Sequence, residues 1–177
     1  VAVIRPSGIL LPHARQCPSP NCDDRPSESA IDLLVIHNIS LPPGSFGGPW
    51  IDDFFLNRLN PDQHPYFCTV CEQRVSSHLL IRRDGELVQY VPLDQRAWHA
   101  GRSSFRGRSE CNDYSIGIEL EGTDDIPYTA AQYESLIKAT LEIRALYPAI
   151  ANDRITGHAD IAPGRKTDPG PAFDWPG

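Results

Sequence analysis

Long apolar runs are missing from this chain of 177 residues. No stretch reaches the roughly 18 apolar residues that a membrane-crossing helix needs, so none is expected. Positive charge is also scarce. Sixteen Lys and Arg face 23 Asp and Glu, a net charge of −7. That balance argues against a phosphate backbone, and so nucleic acid, as the main partner. Cysteine is too sparse and too odd in number for a disulfide framework, with Cys17, Cys22, Cys68, Cys71 and Cys111 making five. Such usage fits reduced thiols in a cytoplasmic protein. A structural zinc site from Cys17-x4-Cys22 and Cys68-x2-Cys71 is one reading of them. Buried thiols behaving as small apolar residues are the preferred one. The N-terminal VAVIRPSGILLPHARQCPSP lacks the charged segment, long apolar segment and small-residue cleavage site of a secretory signal. A cytoplasmic location is therefore expected. Repeats, linkers and low-complexity tracts are absent as well.

What is present is ordinary for a globular protein: 40% hydrophobic and 22% charged residues. The length suits one domain, residues 1–177, with a real core. IDLLVIHN, 31–38, reads as a buried central strand ending at His37. SLPPGSFGGP, 40–49, is a Gly/Pro loop placed where a binding lid often sits. A helix is expected from Pro49, with an apolar stripe of Trp50, Phe54 and Leu56. Asp84-Gly85 marks a β-hairpin. SIGIELEG, 115–122, alternates, with Ile116, Ile118 and Leu120 on one face and Gly117, Glu119 and Glu121 on the other. A helix of roughly 18 residues follows by its apolar spacing, capped by Thr129 with Gln132 and stopped by Pro148. RITGH is a short strand. The order β, α, β-hairpin, β, α, β predicts an α/β fold: a mixed central β-sheet flanked by helices.

Chemistry concentrates after that last strand, in RITGHADIAPGRKTDP, 154–169. His158, Lys166 and Asp168 share one stiff loop. His37 and His158 each close a predicted strand, and strand ends bring distant residues together on a rigid frame. Two imidazoles and one carboxylate, His37, His158 and Asp168, form a known catalytic zinc set with a fourth position open. Pro169 restricts Asp168 and so aims its carboxylate. No HExxH-type motif is present, and a histidine at a strand end can equally be structural or simply exposed. Glu119 sits in an apolar strand, where an unpaired carboxylate is costly. It is either a general base for the attacking water or part of a solvated face with Glu121. Gly117, on the same face, leaves room for a substrate or metal-bound water.

The blocks LLVIHNISLPPGSFGGPWI, HPYF, RRDGELVQYVP, RAWHAGRSSFRGR, CNDYSIGIELEGTDDIPYT and GHADIAPGRKTDPGPAFDW resemble the amidase-2 family of zinc amidases. They are most similar to its cytosolic 1,6-anhydro-N-acetylmuramyl-L-alanine amidase branch. The resemblance runs from about Cys17 to Trp175, and residues 1–16 are not assigned a counterpart. Peptidoglycan-recognition proteins and the phage T7 lysozyme type are broader relatives with the same mixed sheet and a groove zinc. The resemblance implies that His37, His158 and Asp168 bind Zn2+. It implies that Glu119 activates water and that Lys166 stabilises the oxyanion. It further implies that Asn38, Arg74, Trp98, His99 and Arg108 line the substrate groove. Many relatives outside this branch carry cysteine in place of Asp168. The implied activity is hydrolysis of the amide between a muramic lactyl group and L-alanine, in soluble anhydro-muropeptides, by a monomer with no membrane or nucleic-acid partner.

Lys166 has a plainer reading, as a surface cation paired with Asp160 or Asp168. The arginines of RRD, 82–84, and GRSSFRGR, 101–108, are either contacts for an anionic substrate or solubilising charge. Two competing functions remain. One is a cell-wall lysin that cuts polymeric peptidoglycan with the same chemistry. The other is a recognition protein that binds muropeptides without cleaving them, against which the complete set of ligands plus Glu119 and Lys166 argues.

Overall fold

The computed structural model describes residues 8–175. Its order is β1 (Arg15–Gln16), β2 (Cys22–Asp23), β3 (Leu33–Ile39), α1 (Trp50–Phe55), α2 (Phe67–Val70), β4 (Leu79–Ile81), β5 (Leu87–Gln89), β6 (Arg96–Ala97), β7 (Ser104–Phe105), β8 (Arg108–Ser109), β9 (Ser115–Glu121), α3 (Ala130–Leu146), β10 (Ile155–Gly157) and α4 (His158–Ile161). Six strands form one sheet in the order β1-β5-β4-β9-β3-β10. The β4–β5 pair is antiparallel and the other pairings are parallel, so the sheet is mixed as expected. The tight turn between β4 and β5 carries Gly85 at φ +89°, and its Arg82–Glu86 backbone bond closes the hairpin.

Alternation along β3 and β9 divides the interior. Leu34, Ile36, Ile116, Ile118 and Leu120 face α3, whose Leu136, Ala139 and Ile143 fill the space against them. α3 starts with the expected capping box: Thr129 Oγ1 accepts from Gln132 N–H, and Gln132 Oε1 accepts from Thr129 N–H. On the opposite face, Leu33 and Val35 pack with Ala100, Cys111, Tyr114 and Ile161. Farther along, Leu80 and Val88 meet Phe54, Phe55 and Phe67 of α1 and α2. α1 buries Ile51, Phe54 and Phe55 rather than the expected stripe of Trp50, Phe54 and Leu56. It stops at Phe55, so Leu56 never reaches a helical face.

Two boundaries differ from expectation and move the site. β3 continues two residues past His37, to Ile39. His158 does not close a strand but opens α4. The register Gly157↔Ile36 then sets His158 one step beyond the pair, beside His37. Of the cysteines, Cys111 alone is fully buried; Cys68 is exposed and Cys17, Cys22 and Cys71 are half-buried. The four do not gather as a metal-ligand cluster among the described residues, where the one such group is His37, His158 and Asp168.

Candidate metal centre and active-site groove

Parallel pairing sets His37 against Glu119 and Val35 against Gly117 across β3 and β9. In-register neighbours of a parallel pair project to the same side, so His37 and Glu119 share one face. His158 joins them from the start of α4, just past β10, and the 158–169 segment returns Asp168 to the same point. His37 Nδ1 and His158 Nδ1 lie 3.0 Å apart. Asp168 Oδ2 is 3.2 Å from each. The backbone bond from Ala159 N–H to Asp168 O, 2.9 Å, closes the loop.

The outer ring nitrogens are also engaged. His158 Nε2 is 3.1 Å from the carbonyl of Ala100. A carbonyl can only accept, so Nε2 carries a proton, and in that tautomer Nδ1 is the bare atom turned to Asp168. A lone pair facing a carboxylate requires a positive charge between them, a proton or a metal ion. His37 Nε2 meets His99 Nδ1 at 2.8 Å. Burial lowers the His37 pKa to about 4, against the opposing pull of the Asp168 carboxylate. His37 is therefore neutral and ready to ligate at pH 7. Burial alone would raise the Asp168 carboxyl, but the imidazoles of His158 and His37 beside it carry it below the usual carboxylate range.

Glu119 is buried on β9, 9% exposed. Its Oε2 has no hydrogen-bond partner among the described residues. Burial first, and the Asp168 charge second, push its pKa well above the ordinary value; Lys166 pulls the other way. A carboxyl held in that state takes up a proton more readily than an ordinary one, as a general base must. Asp160 accepts from Thr156 Oγ1 and Gly157 N–H, and Asp168 serves the histidines. The surface pairing of Lys166 with either is thus not what forms.

These groups border a cavity of about 580 Å³. Leu41, Phe54 and Val70 wall it on one side, and Thr123, Arg165 and Lys166 on another. Asn38, Trp98 and His99 border it too, each with at least one polar side-chain atom already engaged within the protein. Asn38 Nδ2 lies within hydrogen-bond range of Asp124, Tyr128 and Pro169, and Trp98 Nε1 donates to Asp23. His99 is sandwiched between His37 and Ser115. Arg74 and Arg108 are not among the lining residues. Arg74 turns to the carbonyls of Cys71 and Gln73. Arg108 pairs with Asp32 at 2.8 Å and lies over the Tyr114 ring.

Several expectations need correction. Gly117 does not leave space for substrate: a Cβ there would lie 2.6 Å from the His99 ring, so the glycine makes room for that imidazole. Glu121 is not solvated but 2% exposed, held by Arg82 at 3.2 Å and by the N–H groups of Gly47 and Arg83. The arginines of 82–84 therefore serve the fold, and Arg106 makes an exposed surface pair with Asp153. Arg165, next to Lys166, was not singled out in the sequence. It borders the groove and donates to the carbonyls of Ala100 and Arg102, both at 2.7 Å. No local motif signals that role, because its acceptors lie more than sixty residues earlier.

The profile of the N-acetylmuramoyl-L-alanine amidase family, Amidase_2, matches residues 27–171. The 1,6-anhydro-N-acetylmuramyl-L-alanine amidase AmpD of Salmonella typhimurium strain SL1344 is 63% identical over 94% of this chain and 88% of its own length. The AmpD of Escherichia coli K12 is 61% identical over 92% and 88%. A crystal structure of a selenomethionine AmpD derivative superposes with a TM-score of 0.92 at 61% identity, covering 94% of this chain and 92% of the other. The E. coli amidase AmiD, in complex with anhydro-N-acetylmuramic acid-L-Ala-D-γ-Glu-L-Lys, gives a TM-score of 0.60 at 34% identity over 85% and 58%. With the fold, the profile and the length of these matches in agreement, the chain belongs to the amidase-2 family and is an N-acetylmuramoyl-L-alanine amidase.

Proposed function

We propose that this amidase is zinc-dependent and hydrolyses the lactyl–L-Ala amide of soluble 1,6-anhydro-muropeptides, in cytoplasmic cell-wall recycling. The observation that carries the reading is the triangle of His37 Nδ1, His158 Nδ1 and Asp168 Oδ2, with sides of 3.0, 3.2 and 3.2 Å. Ligands at zinc bond lengths around a tetrahedral ion stand roughly 3.3 Å apart. Two neutral imidazoles and a carboxylate suit zinc better than calcium or magnesium, which prefer all-oxygen sites.

Zinc, when bound there, supplies Lewis acidity: it polarises the amide carbonyl and lowers the pKa of water to roughly 7. Glu119 accepts a proton as the water oxygen bonds to the carbonyl carbon. When the C–N bond breaks, Glu119 returns that proton to the L-alanine nitrogen. Its buried, unpartnered Oε2 supports this role, since a carboxylate already satisfied by protein donors would be a weaker base. Lys166, at the groove wall, donates to the developing oxyanion, a contact worth roughly 3 kcal/mol in comparable sites. His37 and His158 contribute position, and the apolar wall of Leu41, Phe54 and Val70 excludes water from one side.

The substrate class rests on the names of the AmpD relatives and on the AmiD complex with an anhydro-muramyl tripeptide. A monomer suffices, because the ligands, Glu119 and Lys166 all come from one chain. The five cysteines are free thiols. No helix there is long and apolar enough to cross a membrane. One catalytic domain accounts for the 27–171 match.

The test is incubation with a defined anhydro-muramyl tripeptide and with intact sacculi, each with and without chelator, followed by mass spectrometry. Release of tripeptide from the soluble substrate, stopped by chelator and restored by zinc, is expected. Full activity after metal removal would overturn the zinc reading. Faster release from sacculi would replace the recycling role with that of a lysin.

A further inference from the structure

His99 and Ala100 stand behind the metal-ligand candidates, and each meets a different one. His37 Nε2 is 2.8 Å from His99 Nδ1, and His158 Nε2 is 3.1 Å from the Ala100 carbonyl. The two ligands are 121 residues apart in the chain, yet their outer nitrogens end on adjacent residues. Those residues are themselves pinned at one atom. The backbone N–H groups of His99 and Ala100 both donate to Asn112 Oδ1, at 3.1 and 2.8 Å. His99 Nε2 lies 3.0 Å from Ser115 Oγ. His99, Asn112 and Ser115 are 8%, 8% and 0% exposed, so water does not compete for these bonds. The His99 ring occupies the hollow left by Gly117. Behind it stands His78, which accepts from Gly117 N–H at 3.0 Å and faces the Gln95 carbonyl at 2.8 Å.

We infer that His99 and Ala100 form one positioning unit, held by Asn112, that sets the ring orientation and tautomer of both imidazoles in the metal centre. For His158 the reason is direct, because the Ala100 carbonyl can only accept and leaves Nδ1 bare. For His37 the same outcome requires His99 Nδ1 to accept. His99 then carries its proton on Nε2 and donates it to Ser115 Oγ. Both bare Nδ1 atoms face Asp168 as a result. Outer hydrogen bonds of this kind fix ligating histidines, and their loss costs about 10–100-fold in metal affinity. Asn112 lies in a 3-10 turn between β8 and β9 and touches neither ligand, so it acts through the 99–100 backbone. The inference rests on the metal-site reading above.

The parent protein supplies the first test. In the zinc-loaded protein at pH 8, long-range ¹H–¹⁵N NMR should find His99, His37 and His158 each protonated on Nε2. A proton on His99 Nδ1 would overturn the inference, because His37 would then be turned to its other tautomer. The second test is zinc affinity by chelator competition. His99→Phe keeps a ring in the Gly117 hollow and removes the acceptor; affinity should fall about 10–100-fold, with His37 no longer in one tautomer. His99→Asn, whose Oδ1 can stand near the lost Nδ1, should recover most of that loss. Asn112→Leu should weaken zinc binding and disturb both imidazoles, whereas Asn112→Asp, which keeps an acceptor, should disturb neither. Parent-like affinity in His99→Phe, with His37 unchanged, would sink the idea. A parent that takes up no zinc would instead sink the metal-site reading, while the ring disturbance in Asn112→Leu against Asn112→Asp still judges the positioning unit.

Discussion

On one face of β3 and β9, Leu34, Ile36, Ile116, Ile118 and Leu120 pack against α3. On the other face the same strands present His37, Ser115, Gly117, Glu119 and Glu121. The apolar face needs area covered, and one amphipathic helix supplies it. The polar face needs specific partners, because a buried donor or acceptor without one costs far more than an exposed one. Each polar group accordingly draws in a remote segment. Glu121 holds Arg82, Arg83 and the Gly47 loop. His37 gathers His99, His158 and Asp168. Glu119 is the exception, with one buried oxygen left without a partner among the described residues. Stability is given up at the residue proposed to move the proton, a pattern typical of functional sites.

The largest effect expected comes from breaking the polar face at its centre. His37→Ala removes a metal-ligand candidate, so bound zinc should drop below stoichiometry and hydrolysis to background. Circular dichroism should still find a folded protein, because the α3 face is untouched. Stoichiometric zinc in this variant, by elemental analysis, would refute the ligand assignment.

Next comes Glu119→Gln, which keeps shape and removes the proton acceptor. Turnover should fall by roughly 10²–10⁴-fold while zinc content and substrate affinity hold. The raised pKa of Glu119 gives the sign of the pH dependence. The base is protonated on the acid side, so the parent rate climbs as pH rises through that pKa. A rate profile of the variant that keeps the same acid limb would assign the limb to another group.

Ile118→Ala tests the other face of the same strand. Ile118 is fully buried, and the cavity should cost about 2–5 kcal/mol of stability by urea unfolding. The turnover of the folded fraction should match the parent; a large fall would mean the two faces are not separable.

Glu121→Gln sharpens the comparison within the polar face. Glu121 is structural here, so its loss should cost about 1–3 kcal/mol of stability without a hundredfold fall in turnover. Equal catalytic losses for Glu119→Gln and Glu121→Gln would remove any special role from Glu119. The smallest effect should be a gain. The folded-state pKa of Glu119 lies above its unfolded value, so folding loses stability as pH rises through that range. In the metal-free protein at pH 7, Glu119→Gln should be about 1 kcal/mol more stable, and the gain should vanish below pH ~4.

Much of the frame is legible along the chain. Alternation in 115–121 separates the two faces, Thr129 and Gln132 announce α3, and Asp84-Gly85 marks the hairpin. The ligand candidates are also visible as residue types, two histidines and a carboxylate beside predicted strands. Their convergence needs the register of β10 on β3, which pairs Gly157 with Ile36. Strand pattern alone does not fix which residue of one strand meets which of another. The substrate-groove candidates show the limit of matching blocks. Arg108 lies in such a block, yet its guanidinium pairs with Asp32, 76 residues away.

By itself the sequence determined local structure, the division of strands into apolar and polar faces, and the kinds of side chain available for chemistry. These follow from short-range periodicity and capping, which are written in neighbouring residues. Tertiary structure alone decided what Gly117 makes room for, that Glu121 is buried and held, that Glu119 keeps an unpartnered oxygen, and that Asn112 pins the segment behind both histidines. Each depends on groups far apart in the chain meeting within about 3 Å, where burial decides which hydrogen bonds must be made. No local pattern carries that information, because the partner is chosen by the packing of the whole sheet.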